Sequence, residues 1–197
     1  MNFAIKNLLI IISSILTITS ALPYIIDVIK GKTKPRVVTW STWCLLSMIA
    51  CIAAFVEHQY PTAILLLSSS LASGSIVVLG WKNGDKRFER LDIFCLAGVF
   101  VGVILWQLFD SPSIAVLAML VIDLIGGIPT TVHAWKKPYE ETFISFLMGC
   151  FGFGCTLLVI QEWRITAFAY PLFLFINSLN VVLIIFFRRR YLQTKKR

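Results

Sequence analysis

The chain has 197 residues, 58% of them apolar and only 14% charged, with 18 Lys and Arg against 10 Asp and Glu for a formal net charge of +8. So few polar side chains cannot cover a water-soluble domain of this length, so most of the chain is expected to face lipid. The positive charge is sorted by loop rather than gathered into one patch, which argues against a nucleic-acid partner.

Seven apolar runs, each near the ~20 residues that a hydrocarbon crossing needs, occupy 6–29, 37–56, 61–81, 91–109, 112–135, 142–161 and 165–187. They are predicted helices, because lipid does not tolerate unpaired backbone groups and the runs are about twice the length of a barrel strand. The first run resembles a signal peptide in its lysine, apolar stretch and small-residue end, but it continues through Pro23 to residue 29 and reads as a span. Lys30, Lys32, Lys34 and Arg36 follow the first run, and Lys82, Lys86, Arg87 and Arg90 follow the third. Lys136 and Lys137 follow the fifth, and Arg188, Arg189, Arg190, Lys195, Lys196 and Arg197 follow the last. These are alternate connections, so the positive-inside rule predicts an external or luminal amino end and a cytoplasmic carboxyl end. The tail is also placed to meet anionic lipid headgroups. Cys44, Cys51, Cys95, Cys150 and Cys155 all fall inside spans without CxxC or His/Cys ligand spacing, so neither disulfides, a metal nor another cofactor is expected.

The prolines reveal an internal repeat. Pro23 and Pro129 interrupt LPYIIDVIK and IPTTVHAWK, Pro35 and Pro138 lie in the basic connections that follow, and Pro61 and Pro171 open the third and seventh spans. Each pair is offset by 103 to 110 residues. Spans one to three therefore correspond to spans five to seven, and the odd fourth span gives both triples the same orientation, a parallel repeat. The expected architecture is all-α and integral to the membrane, with seven transmembrane helices as two parallel triple-helix bundles joined by a linker helix. The units run 1–81, 82–111 for the loop and linker helix, 112–187, and 188–197 for the basic tail.

The segment LPYIIDVIKGKTKPRVVTWSTW, with the three-plus-one-plus-three layout, resembles the PQ-loop family and its SWEET-like sugar facilitators. Tyr24 and Thr130 stand where the glutamine that names the motif would be. The resemblance implies a small-solute carrier that works by alternating access, and it favours Asn177 or Asn180 as a pocket residue.

Polar residues within the spans supply the candidate site. Asp123 lies near the middle of the fifth span, where a carboxylate costs about 2.5–3.5 kcal/mol on insertion scales. It is either a neutral acid bonded between helices or a group that binds solute or a proton. Asn177 and Asn180 share a face of the seventh span, and Ser70 and Ser73 are their counterparts in the third. Trp40 and Trp43, one turn apart, suit either the interfacial aromatic belt or a stacking wall for a ring-bearing solute, whereas Trp81, Trp135 and Trp163 suit the belt. Pro23 and Pro129 are candidate hinges or static kinks. Asp27 and His133, in equivalent places below them, are candidate gate residues, with Lys30 a ready partner for Asp27. Gly126, Gly127, Gly149, Gly152 and Gly154 allow close helix approach.

A transporter or facilitator of a small polar organic solute, either passive or proton-linked, is the leading expectation. A ligand-binding receptor or sorting protein of the same fold is the alternative. No catalytic residues are expected, since neither a paired-carboxylate motif nor a Ser/His/Asp arrangement occurs.

Overall fold

The computed structural model describes residues 3–56, 60–86, 112–160 and 165–195, with isolated helical positions at 90, 93, 97, 100, 101, 104 and 108. Apart from those positions, the expected fourth span lies outside the described residues, as does Trp163. Seven helical segments and one short 3-10 turn account for nearly all of the rest. They are α1 (Phe3–Thr19), α2 (Ala21–Ile29), α3 (Val37–Val56), α4 (Tyr60–Asn83), α5 (Pro112–Lys136), α6 (Phe143–Val159) and α7 (Ile165–Thr194), with the turn at Pro138–Glu140.

Phe3–Ile29 and Phe168–Thr194 are long and apolar enough to cross a membrane. The interior is unusual for a protein surrounded by water. Among the described residues far more large apolar side chains are exposed than buried, and the buried set includes Arg36, Thr39, Ser70, Thr130, His133 and Glu141.

Proline explains one local break. Pro23 cannot donate to the carbonyl of Thr19, and its ring crowds that group, so α1 ends at Thr19 and α2 restarts one residue after Ser20. The hydroxyls of Thr19 and Ser20 bond back to the carbonyls of Ile15 and Thr17, a habit that bends helices. The equivalent Pro129 leaves α5 continuous, and Pro171 lies inside α7 rather than at its start. At its other end α7 runs seven residues beyond the expected end of the span. The sequence RRRYLQT contains no helix breaker, and Arg188 and Arg189 are tied to carbonyls of Trp135 and Pro138.

Helix pairing is regular. Helix α4 packs against both α2 and α3, while α7 packs against both α5 and α6. The two sets join where α1 and α2 meet α6 and where α3 meets α5. Exchanging α1–α4 with α5–α7 maps each of these packings onto another, and the helices close into a ring with the third of each set between its first and second. Gly152 marks the approach of α6 to α1, since a Cβ there would lie 2.8 Å from Thr17 Oγ1. Ser13 and Thr156 bond across the same contact at 2.6 Å.

Candidate functional site

Three connections meet at one end of the ring, the end that carries the basic residues. After α2, Gly31 takes a positive φ of 67°, which only glycine adopts without strain, and the chain turns back beneath the helices. The Lys34 amide then donates to the Glu140 carbonyl at 2.9 Å, and the Asp85 amide to the Pro35 carbonyl at 3.0 Å. Val37 N–H donates to the Asp85 carbonyl at 3.3 Å. Pro35 and Pro138 are both fully buried here. The segment 33–37 is thus held between 84–85 on one side and 138–142 on the other.

Glu141 is the centre of the side-chain arrangement. Its side chain is completely buried; Oε1 lies 2.8 Å from His133 Nδ1 and Oε2 accepts from the Tyr24 hydroxyl at 3.0 Å. The Trp40 indole N–H donates to the same tyrosine oxygen at 3.2 Å, and the Trp40 and Tyr24 rings pack with centroids 4.8 Å apart. On the far side of the imidazole, Nε2 lies 3.3 Å from Glu140 Oε2 and 3.9 Å from Asp85 Oδ2, as charge neighbours rather than in an aligned hydrogen bond. Lys34 and Lys137 both engage Glu140, and Arg36 engages Asp85 at 3.3 Å. Arg189 donates to the carbonyls of Pro138 and Glu141, pinning the turn to α7. Thr142 donates to Asp27 Oδ2 at 3.1 Å and shares a hydrogen bond with Thr33.

Charge and burial oppose each other at the two neighbouring glutamates. Burial pushes the Glu141 carboxyl above the usual range, against a downward pull from His133 and Tyr24. At Glu140 burial also raises, but Lys34 and Lys137 together outweigh it and hold the group below its ordinary value.

Asp27 and His133, the expected gate residues, therefore both belong to this end. The partner of Asp27 is Thr142 rather than Lys30, because the 138–142 segment folds in against α2 while Lys30 stays exposed. Tyr24, Asp85, Glu140, Glu141 and Arg189 were not expected. One signal was available: Asp85, Glu140 and Glu141 are acids inside connections otherwise sorted for positive charge.

The mid-span residues converge only in part. Asp123 Oδ2 accepts from the Tyr170 hydroxyl at 2.8 Å, an α5–α7 contact that nothing in the sequence pattern singled out. Asn177 and Trp43 come together at Gly127, where a Cβ would lie 3.7 Å from the Asn177 amide and 4.0 Å from the Trp43 ring. Asn180, by contrast, lies on the exposed stripe of α7 with Ile176, Leu183 and Phe187. Ser70 and Ser73 are buried, and Ser70 donates to the Cys44 carbonyl at 3.0 Å, so its hydroxyl serves the α3–α4 contact. Trp43 packs edge-on to Trp40 at 5.0 Å. Trp81 and Trp135 are exposed beneath Lys86 and Arg188.

Thr39, Thr130 and Ser145 are buried with hydroxyls that have no hydrogen-bond partner among the described residues, each within about one helical turn along the chain of Trp40, His133 or Glu141. No metal-holding group of His, Cys, Asp or Glu occurs among the described residues. The chain matches no protein-family model, no curated protein and no solved structure.

Proposed function

We propose that this chain is a membrane carrier for a small polar organic solute, built as a seven-span three-plus-one-plus-three bundle and working by alternating access. The PQ-loop and SWEET-like resemblance belongs to this reading, as does a cytoplasmic basic end with the amino end on the opposite side. The exchange relation among helix packings supports a duplicated architecture, and the excess of exposed apolar side chains supports a lipid surround.

The observation that carries the proposal is the polar closure of the basic end. A permanent seal between helices is most stable when apolar, because buried charges pay a desolvation cost that their pairing barely offsets. Here the seal is made of Glu141, His133, Tyr24, Asp27 and Thr142, drawn from both halves of the chain. Such a seal offers polar groups to water when it parts. Beyond it, Asp123, Asn177 and Trp43 offer a carboxylate, an amide and a ring, a set suited to a polar organic solute. Pro23, with the break beside it, gives one half a place to bend.

Purified protein in liposomes provides the test. A small metabolite that raises its thermal stability should also accumulate inside the vesicles. Stabilisation without flux would turn the reading to a receptor or sorting protein of the same fold.

A further inference from the structure

We infer that His133 and Glu141 form the binding site of a proton that locks the basic end shut, and that the 138–142 turn is released when this proton leaves. The inference deepens the carrier reading, on which its role in transport rests. It assigns proton coupling to this pair, separately from Asp123.

The geometry around the imidazole motivates it. Acids lie on both sides of the ring, Glu141 at Nδ1 and Glu140 with Asp85 at Nε2. An imidazolium offers an N–H to each side, whereas a neutral ring must turn a lone pair toward one of the carboxylates. The neighbouring charges are largely committed elsewhere. Lys34 and Lys137 engage Glu140, Arg36 engages Asp85, and Thr142 donates to Asp27. Arg189 reaches the carbonyl of Glu141, not its carboxylate, and acts on the charge only at a distance. Tyr24 is a neutral donor. Without an added proton the pair carries a buried negative charge that Tyr24 and a neutral Nδ1–H can hydrogen-bond but not neutralise; with it the pair is neutral, as imidazolium beside carboxylate or as imidazole beside carboxylic acid. Both forms keep the 2.8 Å bond.

Removing the proton to water leaves a carboxylate with zero side-chain exposure beside a neutral ring. Hydration then favours withdrawing the 138–142 turn, which takes Thr142 from Asp27 and the Glu140 carbonyl from Lys34. The sign agrees with the raised Glu141 carboxyl: the closed form is fully favoured below the ordinary glutamate range and loses that advantage as pH rises through the raised value.

Hydrogen exchange of the full-length protein in lipid vesicles tests this directly, by following amides 137–142 with correction for intrinsic exchange. In the native chain, protection should fall about tenfold or more as pH rises from about 4, the ordinary glutamate range, to about 9, as the loss of one linked proton predicts. Glu141→Gln should stay protected across the range, since the amide needs no proton, while Glu140→Gln should keep a pH response. His133→Gln is the second variant, and its response should vanish or move by about one pH unit or more. Protection that does not depend on pH in the native chain, or profiles for Glu141→Gln and His133→Gln that match it, would overturn the inference. Opening that depends on pH without solute flux would leave the proton site standing and remove the carrier reading instead.

Discussion

The basic end buries an acid and the middle of the bundle half-buries one, and the two are held differently. At the end, Glu141 is fixed from three directions, by Tyr24 on α2, His133 on α5 and, through its carbonyl, Arg189 on α7. In the middle, Asp123 has one neutral donor among the described residues, Tyr170 on a neighbouring helix. The first is held at both carboxylate oxygens and ties the two halves together. The second keeps acceptor capacity, since a carboxylate can take several donors. A group held at both oxygens closes a structure, and a group with an oxygen to spare can meet a ligand.

The strongest way to break this contrast is Glu141→Ala. It strands His133 beside Glu140 and Asp85 and leaves the Tyr24 hydroxyl buried without its acceptor, a loss of about 3–5 kcal/mol for breaking a buried pair from one side. Unfolding in mild detergent should show it, and Asp123→Ala should cost clearly less by the same measurement. Equal losses would erase the distinction.

Backbone space gives a matched comparison of the two regions. A Cβ at Gly84 would sit 2.5 Å from the Gly80 carbonyl oxygen and 2.8 Å from that of Pro35, and neither can yield as a side-chain tip would. Gly84→Ala should therefore cost about 1–3 kcal/mol by thermal unfolding. At Gly127 the same atom meets the Asn177 amide and the Trp43 ring at ordinary contact distances. Gly127→Ala should stay within about 0.5 kcal/mol of the native chain while weakening solute binding, measured as lost thermal stabilisation by the ligand. Destabilisation at Gly127 that equals that at Gly84 would mark the mid-span contact as packing alone.

The smallest effect sharpens the picture of Asp123. Tyr170→Phe removes one interhelical hydrogen bond, worth about 0.6 kcal/mol in membrane helices, so stability should barely move. Solute affinity or the pH dependence of uptake should change instead, because the variant frees the acceptor that Asp123 Oδ2 now spends. Unchanged affinity and pH response in both Tyr170→Phe and Asp123→Asn would leave Asp123 as a packing residue.

Much of this organisation was legible in the chain because its causes are local. A long apolar run without a breaker favours a helix, so the described helices fall close to where hydropathy puts them. Pro23 breaks its helix at the carbonyl it cannot serve, and the alternation of basic connections anticipated that 30–36, 84–86, 137–142 and the start of the tail share one end. Asp27 and His133 stood out because they follow equivalent prolines.

Partners across the fold were decided elsewhere. Tyr24 meets Glu141 over 117 positions and Ser70 is spent on Cys44, while Asn177 turns toward Trp43 and Asn180 toward the outside. Composition and spacing fix which residues are expensive to bury, since that cost belongs to the residue and its helix. Which of them is satisfied, by what, and at which end depends on how the two halves meet, and only the tertiary structure sets that meeting.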